Sequence, residues 1–417
     1  ITGVPPALVR QAARLMADLR PLALLYAMGI TQHTTGHQNV LACANLQMLL
    51  GNLGVPGGGV NPLRGQNNVQ GACDMGGLPN YYTGYQLVAS QEFEAAWGVT
   101  LGSTPGLTVV EMLKEAEEGR IRAMYILGEN PMVSDPDVNH VRRGLERLDF
   151  LVVQDIFLTE TAKLADVVLP GVALAEKSGT LTNTERRVQL VSPAVTPPGQ
   201  ARQDWEIICD LAKRLQKEVP RGLFAGWNYR SPAEIMEEIA ALTPSYGGVR
   251  HERLGAEGLQ WPCPDLDHPG TPILHVGRFA RGLGRFVPVD WLPPAEQPDE
   301  EYPLVLTTGR VLYHYHTGSL TRRVPGLMEL YPEGRVEVHP DDALKLGIAD
   351  GGVVRVSSRR GSVTARAEVT QRTQPGLVFM TFHFAESAAN VLTIAALDPV
   401  AKIPEYKACA VRIEPVA

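Results

Sequence analysis

Thiol groups, aromatic rings and long apolar runs are scarce in this chain of 417 residues. The five cysteines lie far apart and never form a CxxC pair. A zinc or iron–sulfur site needs clustered thiolates, so we expect no metal-binding residues in this chain and a reduced compartment. No window approaches the roughly 18 uninterrupted apolar residues of a transmembrane helix, which argues against membrane insertion.

A basic excess is missing as well, because the formal net charge is −7. We therefore expect no nucleic-acid partner, and any bound anion must be held locally. The GxGxxG signature of a nucleotide-binding α/β module is also absent from the sequence. What is present is a globular composition, 44% apolar, and a length above that of one core of roughly 250 to 300 residues.

Short apolar runs alternate with helical patterns in the first half of the chain. The runs cover residues 21–29, 122–127, 150–153 and 166–169. This alternation predicts an α/β fold in which helices cover a parallel sheet. Ligands of such sheets bind beyond the carboxyl ends of the strands, and the polar segments TQHTTG, GENP and QDIFLTET fall at those ends. We therefore expect a ligand site there.

The second half of the chain has a different character. Periodicity fades over residues 243–301, where Pro, Gly and Trp accumulate, and we expect a long connection with little regular structure. The runs PLVLTTG, GRVEVHP, GGVVRVSSRRGSVTARAEV and GLVFMTF then follow at strand length, interrupted by one helix, PDDALKLG. They predict a C-terminal β-barrel domain in which SSRRGS is a hairpin turn.

One stretch, NPLRGQNNVQGACDMGGLPN, surrounds a single Arg with glycines and side-chain amides. The guanidinium of Arg64 offers a fixed fork of donors that suits a small planar anion, and glycines let backbone N–H groups approach closely. The amides of Gln66, Asn67 and Asn68 complete that set of donors. The alternative is a surface turn capped by amides, and the residues by themselves leave both interpretations open.

Two acidic residues at predicted strand ends have ordinary explanations too. Glu129 suits the start of a helix because of the helix dipole, and Asp155 suits an N-terminal cap.

The histidines and a pair of arginines are equally ambiguous. His33 and His37 are four residues apart, which allows a metal site on a helix, although one pocket His and one surface His is the favoured interpretation. His314 and His316 alternate as on a strand, so we expect them to point to opposite faces. Arg186 and the adjacent Arg187 suit either cofactor contacts or a solvated pair.

A series of motifs runs through the whole chain in a fixed order. They are GITQHTTG, LLGNLGVPGGGVNPLRGQNNVQGACDMGGLPNYYTGYQ, LGENP, VVQDIFLTETAKLADVVLP, GTLTNTERRVQ and KIPEYKACAVRIEP. Together they resemble the C-terminal part of the catalytic (alpha) subunit of molybdenum or tungsten formate dehydrogenases, within the bis-molybdopterin guanine dinucleotide oxidoreductase family. The segment RGQNNVQGACDMG is similar to formate dehydrogenases in particular.

The resemblance implies roles for individual residues. Arg64 would face the substrate carboxylate, with Gln32 and Gln66 lining the pocket of pterin and substrate. RGQNN would be the wall of the active site and QGACDMGG the turn behind it. Cofactor-binding residues would be Gly128, Glu129, Asn130, Gln154, Asp155, Thr159, Thr308, Gly309, Arg310, His314, His316, Thr317, Asn390, Tyr406 and Lys407.

The resemblance also implies a domain organisation. Residues 1–66 would be the remnant of a cofactor-binding α/β domain whose N-terminal half is missing, and 67–242 an α/β molybdopterin-binding region of Rossmann-like parallel-sheet units. Residues 243–300 would connect it to a molybdopterin dinucleotide-binding barrel of the double-psi type at 301–417. Because the chain opens ITGVPPALV, as if a helix were in progress, we expect residues 1 to about 61 to pack poorly by themselves.

The implied function is oxidation of formate to carbon dioxide, with electrons passing to an iron–sulfur relay. The cofactor would be bis-molybdopterin guanine dinucleotide with Mo or W, while the metal's protein ligand and a [4Fe–4S] cluster would belong to the missing N-terminal part. This chain alone would then be inactive. Expected partners are formate, that missing half of the subunit and iron–sulfur subunits, in the cytoplasm. The alternatives are a nitrate reductase with the same cofactor and a non-catalytic structural relative in a respiratory complex.

Overall fold

The computed structural model describes residues 2–219 and 226–416. Contacts divide the chain into two compact units, each assembled from three separate segments. Unit 1 comprises Ile1–Ile30, Gln38–Gly106 and Val172–Asp290, and unit 2 comprises Thr31–His37, Leu107–Gly171 and Trp291–Ala417. In the described residues, no helix is both long enough and apolar enough to cross a membrane.

The helices are mostly short. They are α1 (Pro6–Asp18), α2 (Met28–Thr31), α3 (Gly36–Leu49), α4 (Val69–Asp74), α5 (Glu92–Trp97), α6 (Val109–Glu117), α7 (Pro131–Ser134), α8 (Val138–Glu146), α9 (Asp204–Glu218), α10 (Pro232–Leu242), α11 (His251–Leu254), α12 (Pro325–Leu330) and α13 (Pro340–Leu346).

Within residues 2–219 and 226–416, the strands form four separate sheets. They are β1 (Leu24–Tyr26), β2 (Val60–Pro62), β3 (Ala123–Leu127), β4 (Phe150–Asp155), β5 (Val167–Pro170), β6 (Gly179–Thr182), β7 (Arg187–Val191), β8 (Leu259–Gln260), β9 (Leu304–Gly309), β10 (Arg335–Val338), β11 (Val353–Ser358), β12 (Gly361–Val369), β13 (Leu377–Thr381) and β14 (Cys409–Pro415).

Three of the four predicted runs form a parallel sheet in unit 2, whereas the run at 21–29 supplies strand β1 of a separate pair in unit 1. Strands β3, β4 and β5 lie side by side and all run parallel, with Tyr125 opposite Val152 and Val153 opposite Val168. Their apolar residues pack with helices α6 and α8 into a core that includes Leu113 and Leu145. A capping box begins α6, because the carboxylate of its third residue accepts from the N–H of Thr108. The carboxyl ends of β3 and β4 therefore present their loops at one edge of this sheet.

The C-terminal segment of unit 2 closes into a six-stranded barrel in the order β10, β12, β11, β14, β9, β13. Two of its pairs, β10 with β12 and β13 with β9, are parallel. Alternate residues point inward, as in β9, where Leu304, Leu306 and Thr308 are buried, and the interior is filled mainly by valines and alanines. The barrel, the helix at PDDALKLG and the hairpin turn at SSRRGS are confirmed.

Unit 1 holds the two remaining sheets. Strands β1 and β2 form a parallel pair, and β6, β7 and β8 form an antiparallel sheet that packs on Met236, Tyr246 and Val249. The sequence analysis did not predict β6, β7 or β14. Helix α1 buries none of its residues, and the expectation that the N-terminal stretch packs poorly by itself stays a prediction.

Two local expectations were wrong. The segment that holds His314 and His316 is a loop rather than a strand, and its backbone turns into the left-handed region at His316, φ 49°. A strand would continue the ladder of β9, but the chain leaves the barrel after Gly309. The predicted turn QGACDMGG instead begins as helix α4, because the backbone N–H groups of Ala72 and Met75 bind the carbonyls of Asn68 and Gly71.

Glu296 links the irregular segment before the barrel to the barrel itself. Its side chain is 9% exposed and accepts from Arg360 Nη2 at 2.6 Å, from Arg359 Nη1 at 2.7 Å and from the Ala410 N–H at 3.1 Å.

We expect Glu296→Ala to lower the free energy of unfolding by about 3 kcal/mol, since it leaves the nearly buried guanidinium of Arg360 without its counter-charge. Thermal denaturation measures the effect. The exposed Glu301→Ala is the matched control, and equal melting temperatures for both variants would refute the expectation.

Candidate functional site

The loop that carries Arg64 is fixed by contacts to strand β6 and the turn after it. The backbone N–H of Arg64 donates to Thr184 Oγ1 at 3.0 Å, and the backbone N–H of Thr182 donates to Asn68 Oδ1 at 2.8 Å. A Cβ on Gly71 would lie 2.1 Å from that same Oδ1, so only glycine fits under the Asn68 amide. The motifs RGQNNVQG and GTLTNTERR therefore meet within unit 1.

The Arg64 guanidinium is held on one edge by a neutral amide. Its Nε and Nη2 donate to Gln70 Oε1 at 3.1 and 3.0 Å. In the described part of the chain, Arg64 forms no ion pair and its other three N–H groups have no hydrogen-bond partner. Burial raises the pKa of the Tyr26 hydroxyl and of the Cys73 thiol, and the positive charge of Arg64 partly offsets both shifts. The site offers an uncompensated cation with free donors.

A fully buried carboxylate, Asp74, lies behind Gln70. Its Oδ1 accepts from Gln70 Nε2 at 2.7 Å and from Tyr85 Oη at 2.9 Å. Its Oδ2 accepts from Tyr246 Oη at 2.7 Å and from Trp261 Nε1 at 2.6 Å. Burial and the Asp74 charge together raise the pKa of both tyrosines, which stay protonated as donors.

The two glutamines predicted beside Arg64 fall in different units. Gln66 follows Arg64 in the same loop and is partly exposed. Gln32 belongs to a short segment of unit 2 that two buried carboxylates hold in place. Asp398 accepts from the N–H of His37 at 3.0 Å, and Glu405 accepts from the N–H of Thr34 at 3.2 Å. The proximity of Gln32 to Arg64 stays a prediction.

His33 and His37 do not share a ligand position. The Nδ1 of His37 lies 2.8 Å from Asp398 Oδ2, whereas the Nδ1 of His33 lies 3.8 Å from Glu405 Oε1. Each imidazole therefore faces its own carboxylate. Among the described residues, no group of three or more His, Cys, Asp or Glu side chains could hold a metal ion.

Several predicted cofactor residues at the strand ends of unit 2 are engaged inside the protein. Asn130 Nδ2 donates to Glu160 Oε2 at 2.8 Å, and its Oδ1 accepts from the hydroxyl of Thr161 at 2.8 Å. The amide oxygen of the buried Gln154 accepts from the Tyr125 hydroxyl. Thr159 Oγ1 accepts the N–H of Ala162 at 3.2 Å. These side chains shape the loops, while Gly128, with φ 64°, turns the chain after β3.

Acidic groups gather at the same edge of the sheet. Asp155 Oδ1 accepts the N–H of Ile156 at 2.6 Å. Asp155 is the last residue of β4 and no helix begins at it, so its interpretation as an N-terminal helix cap was wrong. The Glu129 side chain has solvent-exposed surface, although protein atoms surround much of it. Their desolvation of the carboxyl group, together with the nearby Asp155 charge, raises the pKa of Glu129. A third carboxyl, Asp135, was missed by the sequence analysis. Burial raises its pKa to about 7, and its Oδ2 has no hydrogen-bond partner among the described residues.

A cluster of basic groups borders the barrel. Arg310 and Lys407 lack an ion pair in the described part of the chain, and Lys407 Nζ donates to the carbonyl of Thr308 at 2.5 Å. Burial and the charge of Arg310 lower the pKa of Lys407 to about 8 and that of His316 to about 4. Mutually repelling groups without counter-charges suit a bound polyanion.

A buried histidine fixes the loop that carries this cluster. His383 Nδ1 donates to the carbonyl of His316, and its Nε2 accepts the N–H of Val311 at 3.1 Å. Such bonding requires a neutral ring, and burial does lower the pKa of His383 to about 4. Its sequence context, TFHF, gave no signal, because both partners are backbone groups of a loop remote in sequence.

The remaining predicted residues of the C-terminal segment pack or hydrogen-bond internally. Both nitrogens of His314 are engaged, with Tyr331 O at 2.7 Å and Thr321 Oγ1 at 3.2 Å. A Cβ on Gly309 would lie 2.5 Å from the Phe379 ring. The other contacts join Thr308 Oγ1 to Tyr406 O, Thr317 Oγ1 to Ser319 Oγ, Asn390 Nδ2 to the carbonyls of Val133 and Ser134, and Tyr406 Oη to Ser134 O.

The two arginines that the sequence left open bind within unit 1. Arg186 Nη1 donates to the carbonyl of Thr271 at 3.0 Å, and its guanidinium lies over the Trp261 ring. Arg187 pairs with Glu185 at 3.0 Å. Both side chains are therefore held by protein contacts, so the interpretation as a solvated pair was wrong.

Two family profiles match this chain. Residues 14–214 match the family Molybdopterin oxidoreductase, and residues 304–410 match the Molydopterin dinucleotide binding domain. The second range covers the closed barrel up to the first residues of β14.

Curated relatives align over nearly the whole chain. It is 50% identical to F420-dependent formate dehydrogenase 1 subunit alpha of Methanococcus maripaludis, covering 100% of this chain and 61% of that protein. It is 41% identical to formate dehydrogenase H of Escherichia coli and 37% identical to the assimilatory nitrate reductase catalytic subunit of Bacillus subtilis, covering 100% and 98% of this chain and 59% of each relative. The chain thus spans about three fifths of their length.

A solved structure shares the fold. Acetylene hydratase from Pelobacter acetylenicus superposes with a TM-score of 0.70 at 18% identity, over 100% of this chain and 64% of that one. The structural match shows the fold alone, and the two profiles identify a molybdopterin oxidoreductase domain and a molybdopterin dinucleotide-binding domain in this chain.

Proposed function

We propose that this chain is part of the catalytic subunit of a molybdenum or tungsten formate dehydrogenase, which oxidises formate to carbon dioxide. The observation that carries the proposal is the Arg64 guanidinium, a cation without an ion-pair partner in the described residues that is held on one edge by the neutral amide of Gln70. Relatives named as formate dehydrogenase subunits alpha, 50% identical over the whole chain, support the same substrate.

Arg64 would bind the substrate carboxylate through the N–H groups that Gln70 leaves free. A bidentate contact orients the planar formate ion and stabilises negative charge as its C–H bond breaks. Gln66 would add an amide donor from the same loop, and the resemblance assigns a substrate-site role to Gln32 as well. Since Gln70 carries no charge, its contact with the guanidinium does not neutralise Arg64.

Unit 2 would hold the cofactor. The positive charges of Arg310 and Lys407 fit the phosphate groups of a dinucleotide, beside which His316 is a neutral imidazole. The carboxyl groups of Glu129 and Asp135 fit the N–H donors of a guanine. The unpartnered Oδ2 of Asp135 supports a bound polar group at this position. When bound, bis-molybdopterin guanine dinucleotide with Mo or W supplies the two-electron redox centre.

Finer features of the whole protein belong to the same proposal. They are Rossmann-like units in the α/β region, a double-psi type for the barrel, the domain boundaries at residues 66, 242 and 300, the roles of the remaining cofactor residues, a [4Fe–4S] cluster and the metal's protein ligand outside this chain, iron–sulfur partner subunits and a cytoplasmic location. The resemblance supports them.

Reduction of nitrate by the same cofactor is the second candidate. The nitrate reductase of Bacillus subtilis, 37% identical over 98% of this chain, favours it as the weaker alternative. Nitrate is also a planar anion that a guanidinium can bind. An activity assay of the complete protein with formate and with nitrate decides between the two. Pterin and metal analysis of that protein tests the third alternative, a structural relative without cofactor.

Replacement of Arg64 tests the proposed substrate site. We expect Arg64→Ala to lower kcat/KM for formate at least about 100-fold, since a charge-assisted bidentate contact is worth roughly 3 kcal/mol. Steady-state kinetics on the complete protein measure this. The matched control is Arg122→Ala, whose side chain is 79% exposed. Equal kcat/KM values for the two variants would show that Arg64 does not bind formate.

Replacement of Lys407 tests the proposed cofactor site. Lys407→Met keeps the length of the side chain but removes its charge, so we expect roughly tenfold weaker cofactor retention. Pterin fluorescence after dialysis gives the readout independently of activity. Lys345→Met, at a side chain 72% exposed, serves as control. Undiminished pterin in the Lys407 variant would contradict the assignment.

Asp135 should make the cofactor-free protein less stable as pH rises. Its folded pKa of about 7 lies above the ordinary 3.8, so the folded state binds the extra proton and loses stability between about pH 4 and 7. We expect Asp135→Asn to melt like the wild type near pH 4 and to be more stable above pH 7, by a few kcal/mol. Melting curves across this range provide the test. A pH-independent difference would show that Asp135 is already ionised in the fold.

A further inference from the structure

Asp74 is a charged group for which catalysis of formate oxidation has no direct use. It is 0% exposed and forms no ion pair with any described residue, yet its two oxygens receive four hydrogen bonds. Four donors complete the lone-pair capacity of a carboxylate. A buried charge with a full set of donors is costly to build and fixes the groups around it.

One of those groups is the Gln70 amide, and Asp74 dictates which way it faces. Both hydrogens of Gln70 Nε2 are used, one on Asp74 Oδ1 at 2.7 Å and one on Tyr85 Oη at 2.9 Å. An amide turned over would present its oxygen to the carboxylate and its N–H groups to the Arg64 guanidinium. The amide oxygen would then repel the Asp74 carboxylate, and the amide N–H groups would repel the N–H groups of Arg64.

The amide oxygen of Gln70, fixed in this way, determines the orientation of the Arg64 guanidinium. Oε1 accepts from Nε and Nη2 together, which determines both the plane of the guanidinium and its rotation. The edge that remains free carries three N–H groups. Because the acceptor is neutral, the arrangement orients Arg64 without neutralising it.

We propose that Asp74 is a positioning residue that acts through Gln70 to aim the free edge of Arg64 at a bound carboxylate. The nature of that carboxylate, formate, rests on the proposed function. The orientation of Arg64 does not, because it follows from hydrogen bonds within unit 1. Asp74 therefore orients the anion-binding residue Arg64 without contacting it, in addition to packing within unit 1.

Two variants break the relay at different points. In Asp74→Asn, the Trp261 indole N–H can only donate and so keeps the side-chain oxygen, which leaves an NH2 group facing Gln70. The Gln70 amide then turns over and repels Arg64. Gln70→Met removes both contacts at similar volume. Tyr229→Phe is the matched control, since it deletes a part-buried hydrogen bond to the carboxylate of Glu238 in unit 1 that lies outside this relay.

In the complete, cofactor-loaded protein, we expect both relay variants to raise KM for formate about tenfold, equivalent to one lost hydrogen bond to a charged group. The control should stay within about twofold of the wild type. A double-mutant cycle separates positioning from packing: with Arg64→Lys already present, Asp74→Asn should cause no further loss of kcat/KM. Equal losses with and without the Arg64→Lys change would reduce Asp74 to a packing residue and overturn the proposal.

A second readout does not depend on the substrate. Phenylglyoxal modifies arginine guanidinium groups, and peptide mass spectrometry reports the rate at Arg64. We expect Arg64 to react several-fold faster in Asp74→Asn and Gln70→Met than in the wild type or in Tyr229→Phe, because Arg64 loses two hydrogen bonds in the relay variants. An unchanged rate in the relay variants overturns the positioning role. If the wild type fails to oxidise formate but these rates differ as expected, the proposed substrate falls and the positioning role stands.

Discussion

The buried carboxylate of Asp74 is the constraint on which the Arg64 loop depends. Its four hydrogen bonds join residues from four parts of unit 1: helix α4, the turn at Tyr85, the turn at Tyr246 and the segment after β8. An unsatisfied donor at any of these points would cost about 1–3 kcal/mol. The side chains around Gln70 therefore have one strongly preferred arrangement. The Arg64 guanidinium, which donates to Gln70, takes a fixed orientation as a result.

Each unit has positive groups without an ion-pair partner among the described residues, namely Arg64 in unit 1 and Arg310 and Lys407 in unit 2. In unit 1 a neutral amide separates Arg64 from Asp74. In unit 2 the basic cluster borders the barrel, and burial with mutual repulsion lowers the pKa of Lys407 to about 8. Surface pairs elsewhere in the chain, such as Arg122 with Asp149, satisfy themselves. Unpaired, partly desolvated charge is unfavourable by itself, and an anionic ligand relieves it.

The sequence predicted the elements whose apolar pattern is strong. Strands β3, β4 and β5 and the barrel strands β9 to β13 follow from short apolar runs, because a buried strand needs little else. Strands β6 and β7 escaped notice because both are short, half of β6 is threonine, and the β8 partner of β7 lies about 70 residues further along the chain. Arg64 was recognisable from its loop. The relay of Gln70 and Asp74 was not, because the tyrosines and the tryptophan that complete it arrive from residues 85, 246 and 261.

The way the two units share the chain has a consequence for its synthesis. The polypeptide passes from one unit to the other five times, and each unit closes only with its third segment. Trp261, a donor to Asp74, leaves the ribosome almost two hundred residues after that aspartate. Until then Asp74 is an ionised side chain without its indole partner in a nascent chain. Compaction of unit 1 is therefore necessarily a late, long-range event, and slow closure of such distant contacts is the kinetic cost of this architecture.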